Sequence, residues 1–150
     1  MDSRVQLQTV IENRTLPKLL DDRAAVDKNR TFLVYENGRG EVRTWSYKEF
    51  DNSVNKTANA LVQLGIKKSD KVNLHLNNCP EFLFTWFALS KIGAVMVPTN
   101  PASPPDELVY PINHSESVLT VTQIDLLDTM KIVRSKCSKL RTIVVKEGVS

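Results

Sequence analysis

The chain reads as an α/β fold, a mostly parallel sheet flanked by helices and preceded by a β-hairpin. Three observations predict it. Short β-branched or aromatic runs alternate with longer stretches of helical apolar spacing from Ser46 to Val145. Between Gly65 and Pro98 a strand, an aromatic-rich helix and a second apolar strand follow in order, the pattern of a βαβ unit with a crossover helix. Ahead of them, TFLVYE (Thr31–Glu36) and VRTWS (Val42–Ser46) flank an NGRG loop, which is a hairpin signature.

Each element follows from its residues. Thr15 is placed to cap a first helix with Pro17 in its opening turn, where a missing N–H has no intrahelical partner to lose. Leu16, Leu19, Leu20, Ala24 and Val26 follow a loose helical period. In the hairpin loop, Gly38 and Gly40 are free to take positive φ. Ser46 starts a long helix, with Glu49 three residues on to complete a capping box. Phe50, Val54, Ala58, Leu61 and Leu64 mark its buried face, and Gly65 stands where a left-handed cap belongs. Val72–Leu76 is the next strand. Asn78, Pro80 and Glu81 predict a second capping box for the helix that ends at Gly93.

That helix, Phe82–Ile92, has almost no polar face. It is expected to lie between the sheet and a layer contributed from beyond residue 150. Ala94–Val97 is a strand, and Pro98–Pro105 a turn-rich loop. Ser103, Pro104, Pro105 and Asp106 signal another helix start. Pro111 predicts that this helix is short or bent, because proline donates no hydrogen bond. Val118–Thr122 is a strand, Asp125 begins a helix through about Lys136, and Thr142–Val145 is the last strand. No repeat or linker composition divides the chain, so residues 1–150 are read as a single α/β subdomain. The closing KEGVS brings no final helix, and the chain is read as a fragment of a longer polypeptide.

Composition narrows the class. A chain of 150 residues, 41% hydrophobic and 25% charged, is long enough to bury about two-thirds of its unfolded surface. With 20 basic against 17 acidic residues, the net charge of +3 makes no case for nucleic acid. No apolar run approaches the length of a membrane span, and the first fifteen residues contain no signal-peptide core. Cys79 and Cys137 lie too far apart for a zinc pair or a CxxC. Two free thiols in a cytoplasmic protein is the plainer reading, with a disulfide as the alternative. Sequons begin at Asn13, Asn29, Asn55 and Asn113 and are read as coincidental without an export signal.

Candidate chemistry is sparse. Gly38-Arg39-Gly40 is a GxG, but a strand follows it, so it cannot aim a helix N-terminus at a phosphate. His75 alternates with Leu74 and Leu76 and reads as a hydrogen-bonded sheet residue. His114-Ser115-Glu116 cannot build a triad from adjacent positions, because the three groups must converge in space. Asp21, Asp22, Asp51, Asp125 and Asp128 are expected near helix starts or on exposed faces. Lys131, Arg134, Lys136, Lys139 and Arg141 read as a solvated helix face and loop. The aromatic residues Phe82–Phe87 are read as core rather than as an acyl pocket, and Gly93 and Pro98 as backbone geometry. No catalytic, cofactor-binding or metal-binding residue is assigned.

The motifs WSYKEF (Trp45–Phe50), GIKKSDKV (Gly65–Val72) and SKIGAVMVPTNP (Ser90–Pro101) resemble the N-terminal core of AMP-forming acyl-CoA ligases, the adenylate-forming family. Within it, HLNNCPEFLFTWFALSKIGAVMVP is similar to crotonobetaine/carnitine-CoA ligases. The resemblance is continuous from about Thr44 to Pro101. It implies the first subdomain of the ligase N-terminal domain, from a parent that uses ATP, Mg and coenzyme A on a small carboxylic acid of the carnitine or crotonobetaine kind. The family's Ser/Thr/Gly-rich loop ending in lysine, its adenine site and its C-terminal lysine are absent, so the isolated chain is expected to be inactive. The remainder of the ligase is the implied partner of the Phe82–Ile92 helix. The alternative is a free-standing α/β binding or protein-interaction module.

Overall fold

The structure is a computed structural model and describes residues 15–146. The Asn13 sequon and the run after Lys146 lie outside the described residues. Helix α1 (Leu16–Val26) begins at Thr15, whose hydroxyl accepts from Lys18 N–H at 3.4 Å. Strands β1 (Thr31–Glu36) and β2 (Val42–Ser46) pair antiparallel from Glu36↔Val42 to Thr31↔Ser46, with one irregularity between Thr31 and Leu33. Of the two loop glycines only Gly40 takes positive φ, +77°. Asn37 closes the turn instead, its Oδ1 accepting from the N–H groups of Arg39 and Glu41 at 2.9 Å.

Helix α2 (Tyr47–Gln63) carries the capping box read from its sequence. Glu49 N–H donates to Ser46 Oγ, and Ser46 N–H donates to Glu49 Oε2 at 2.8 Å. The Ser46 N–H, and next its hydroxyl, donate to Glu49 Oε2 at 2.8 Å and hold that carboxyl below its ordinary range. Strand β3 (Lys71–His75), helix α3 (Pro80–Ile92) and strand β4 (Val95–Pro98) follow. Helix α4 (Pro105–Ser115), strand β5 (Leu119–Gln123), helix α5 (Leu127–Lys136) and strand β6 (Thr142–Lys146) complete the order. The four strands β3–β6 form one parallel sheet in the order β4-β3-β5-β6.

Two helix starts differ from the sequence reading, while α4 begins at Pro105 within the expected Ser103–Asp106 start. Cys79, not Asn78, is the N-cap of α3, and no side chain caps that end. With Cys79 as the cap, Glu81 falls at the second helical position rather than the third, so the second capping box does not form, and Glu81 Oε2 lies 3.2 Å from Lys146 Nζ instead. Helix α4 is capped by Pro104 and continues four residues past Pro111. Burial of Leu108 and Ile112 on one face offsets the hydrogen bond that Pro111 withholds. Asp125 lies in a single 3-10 turn, Ile124–Leu126, because its carboxylate receives Gln123 Nε2 at 2.8 Å rather than capping a helix.

The core has two layers, one on each face of the sheet. On one face Val72, Leu74, Leu76, Leu119 and Val121 meet α2, α3 and the hairpin. Phe50, fully buried, is the hub there, with ring centroids 4.6 Å from Phe32, 5.3 Å from Phe84 and 5.1 Å from Phe87. On the other face, Leu108 and Ile112 of α4 pack with Met130 and Val133 of α5, Cys137 and Leu140. The apolar circumference of α3 is met largely from within this chain, by α1, α2 and the hairpin. Trp86 remains 38% exposed.

One polar pin ties the helices of the first layer. Lys91 Nζ donates to Asp21 Oδ1 of α1 at 2.7 Å and to Asp51 Oδ1 and Asn55 Oδ1 of α2 at 2.8 and 2.9 Å. Asp51 does lie near a helix start, but it is buried and paired, so an ion pair rather than solvation accounts for it. Burial pulls the Lys91 ammonium down, but its bonds to Asp21 and Asp51 outweigh that and hold its pKa above the ordinary value.

Candidate functional site

In an open parallel sheet, ligands settle beyond the carboxyl ends of neighbouring strands whose connections leave in opposite directions. Here β3 continues through α3 to β4 on one side, and β5 continues through α5 to β6 on the other. The crevice between the ends of β3 and β5 is that position. The side chains that reach it sit on alternate residues of two central strands, where strand periodicity puts them on one face.

They form a buried polar ladder. Thr120 Oγ1 donates to Asn73 Oδ1 at 2.6 Å, so the Asn73 amide nitrogen turns the other way. It donates to Val97 O at 2.9 Å and to Thr99 Oγ1 at 3.0 Å. Thr99 Oγ1 in turn lies 3.0 Å from His75 Nδ1. Thr122 Oγ1 donates to His75 O at 3.0 Å. Gln123 Oε1 accepts from Asn77 N–H at 2.9 Å, which ties the loop after β3 to the end of β5. Asn73, His75, Thr120 and Thr122 are fully buried. His75 Nε2 is buried without a hydrogen-bond partner, and burial depresses the imidazole pKa below its usual value.

Such a ladder fixes strand ends and presents amide and hydroxyl groups; its one hydroxyl–imidazole contact, Thr99 to His75, has no third group orienting the imidazole, whose Nε2 is buried without a partner. Among the described residues no group of three or more His, Cys, Asp or Glu side chains is placed to hold a metal ion. Gly38 and Gly40 close the hairpin turn, remote from any helix start. His114 is exposed and stacked on Tyr110, Ser115 Oγ bonds Ser117 Oγ at 2.8 Å, and Glu116 pairs with Lys139. These three neighbours thus diverge. In the basic run, Lys131 pairs with Asp128 and Lys136 with Asp106, and all five cations are exposed. Cys79 and Cys137 are free and sit in separate clusters, where burial raises both thiol pKa values.

The aromatic helix divides in two. Phe84 and Phe87 are core, packed on Phe50. Its first turn instead lines a cavity of about 260 Å³ between α3 and the hairpin, with Leu33, Tyr35, Cys79, Phe82 and Leu83 in its wall. Sequence reasoning missed that cavity, and it missed Asn73, Thr99, Thr120 and Gln123. A signal for the ladder existed: LTVTQ and KVNLH both alternate polar with apolar residues. In a sheet covered on both faces, those polar positions have only one another to bond.

A family profile described as AMP-binding enzyme matches residues 20–149. The crotonobetaine/carnitine–CoA ligase of Proteus mirabilis is 46% identical over 113 residues, 75% of this chain and 22% of the relative. The enzyme of the same name from Escherichia coli O6:K15:H31 is 40% identical over 141 residues, 93% of this chain and 27% of the relative. The chain thus spans about a quarter of the length of these curated relatives. Two solved structures share the fold. The anthranilate CoA ligase AuaEII has a TM-score of 0.78 at 24% identity, covering 87% of this chain and 24% of its own. A putative long-chain-fatty-acid CoA ligase from Rhodopseudomonas palustris has a TM-score of 0.81 at 20% identity, covering 91% of this chain and 34% of its own.

Proposed function

This chain belongs to the AMP-binding enzyme family, and we propose that it is the opening subdomain of an ATP-dependent acyl-CoA ligase. The parent adenylates a small carboxylic acid of the carnitine or crotonobetaine kind and transfers it to coenzyme A. One observation carries the substrate class: identity of 40–46% to crotonobetaine/carnitine–CoA ligases over 75–93% of the chain. ATP, Mg and coenzyme A are the parent's cofactors, and the described residues do not fit them. The ladder at the strand ends is bonded to itself, and the GxG opens no helix. A triphosphate needs clustered cations and free backbone N–H groups at a helix start.

The role left to these 150 residues is scaffolding. They hold one parallel sheet and its covering helices in place for a site completed by the rest of the ligase, and alone they catalyse nothing. That remainder packs against α3 where Phe82 and Leu83 are half-buried and Trp86 is open. The test is a longer polypeptide that carries this segment, assayed for coenzyme A thioester formation from carnitine or crotonobetaine with ATP. Thioester formation dependent on all three supports the reading. A longer enzyme that adenylates only unrelated acids refutes the substrate class.

A further inference from the structure

We propose that His75 and Thr99 form a proton-operated latch: the neutral imidazole holds the Thr99–Pro104 segment at the carboxyl end of the sheet, and protonation releases it. The geometry begins with Asn73, whose amide hydrogens are both committed, one to Val97 O and one to Thr99 Oγ1. Thr99 Oγ1 already receives that N–H, so its own proton is free to bond His75 Nδ1 at 3.0 Å. Thr99 N–H also donates to Leu74 O at 3.0 Å. Beyond Thr99 the segment bonds only locally: Ala102 N–H to Asn100 Oδ1 at 3.0 Å and Ser103 N–H to Asn100 O at 3.1 Å. Thr99 is therefore the segment's last anchor on the sheet.

A charged imidazole finds no counter-charge in this position: its Nδ1–H can donate to the lone pair that Asn73 leaves on Thr99 Oγ1, but the charge itself stays unpaired. His75 is fully buried and its Nε2 has no partner. On its own face of the sheet His75 has Asn73 two residues back on β3, Thr122 directly across in register on β5 and Thr99 at 3.0 Å, all uncharged. At this end of the sheet Asp125 is occupied by Gln123, and Lys146 turns to Glu81 on the opposite face. The charged residues of α4 and α5 are exposed. An imidazolium in such surroundings must gain water, and the locally bonded segment is the element that can move to admit it.

The sign follows from linkage. Burial lowers the folded imidazole pKa, so this contribution to stability is complete above the ordinary histidine value of about 6.5. It is lost as pH falls from there toward the depressed folded value. Amide hydrogen exchange on the 150-residue chain between pH 7.5 and 5 tests the latch, with both imidazoles followed by NMR. After correction for intrinsic rates, protection at Thr99, Ala102 and Ser103, the segment's hydrogen-bonded amides, is expected to fall about tenfold per pH unit below pH 6.5. Amides of β3 should keep theirs.

His75→Asn preserves a polar group near Nδ1 but cannot titrate, and it should abolish the pH dependence. Thr99→Val should open the segment at pH 7.5 and covers the case in which the first variant does not fold. His114→Gln, at the exposed histidine, should change nothing. Protection that persists while His75 titrates overturns the proposal. So does protection lost from the whole sheet at once, or a pH dependence retained in His75→Asn.

Discussion

Lys91 sits where three helices meet, and its three acceptors come from α1 and α2. Removing its charge leaves Asp51 buried with only the Asn55 amide for company. Lys91→Met should therefore destabilise the chain by about 2 kcal/mol, between the values typical of exposed and fully buried ion pairs. Asp21→Asn should cost under about 1 kcal/mol, because Asp21 is 58% exposed. Urea denaturation of both variants checks the order. At the ladder, Thr120→Val strips Asn73 Oδ1 of its donor without changing shape. That loss is expected to cost about 2 kcal/mol by the same measurement, the penalty of an unsatisfied buried acceptor. None of these partners is visible from residue type alone. Lys91 and Asp51 lie 40 positions apart, and helical spacing says which face a residue occupies but not which charge it will find there.

Two left-handed positions offer opposite predictions for the elements. Gly93 closes α3 at φ +76°, and a β-carbon there would meet Lys68 Cγ at 3.2 Å. Gly93→Ala should lower stability by about 1–2 kcal/mol. Ser69, in the turn before β3, is a non-glycine residue at φ +70°. Ser69→Gly should relieve that strain and leave the chain unchanged or up to about 1 kcal/mol more stable, read from the same thermal or denaturant melts. Gly65, Gly93 and the Ser46–Glu49 box were legible because local chemistry alone decides them. The box at Asn78–Glu81 was misread because the cap falls one residue later, at Cys79, which leaves Glu81 out of the third helical position. Pro111 does not end α4: packing of Leu108 and Ile112 offsets the hydrogen bond that it withholds.

At the scale of the molecule, the strand–helix–strand order fixed a parallel sheet, and the structure adds the strand order β4-β3-β5-β6. That order was not legible, since no residue pattern says on which side of β3 the later strands will lie. It matters because it creates the switch point, and with it the buried ladder. Acid should act in two windows. His75 contributes below about pH 6.5, as argued above. Asp106 and Glu116, held below the ordinary carboxylate range by Lys136 and Lys139, begin to lose that contribution only as pH falls below about 4 and lose it fully at their lower folded values. Both pairs are exposed, so added salt should weaken the second window and spare the first.

The proposed division of labour is that this sheet frames a nucleotide site completed by the rest of the ligase. ATP–pyrophosphate exchange by the purified 150-residue chain, with Mg and with carnitine or crotonobetaine as the acid, tests that division most directly. The predicted result is exchange no faster than in buffer alone. Exchange that scales with chain concentration and requires the acid would contradict it.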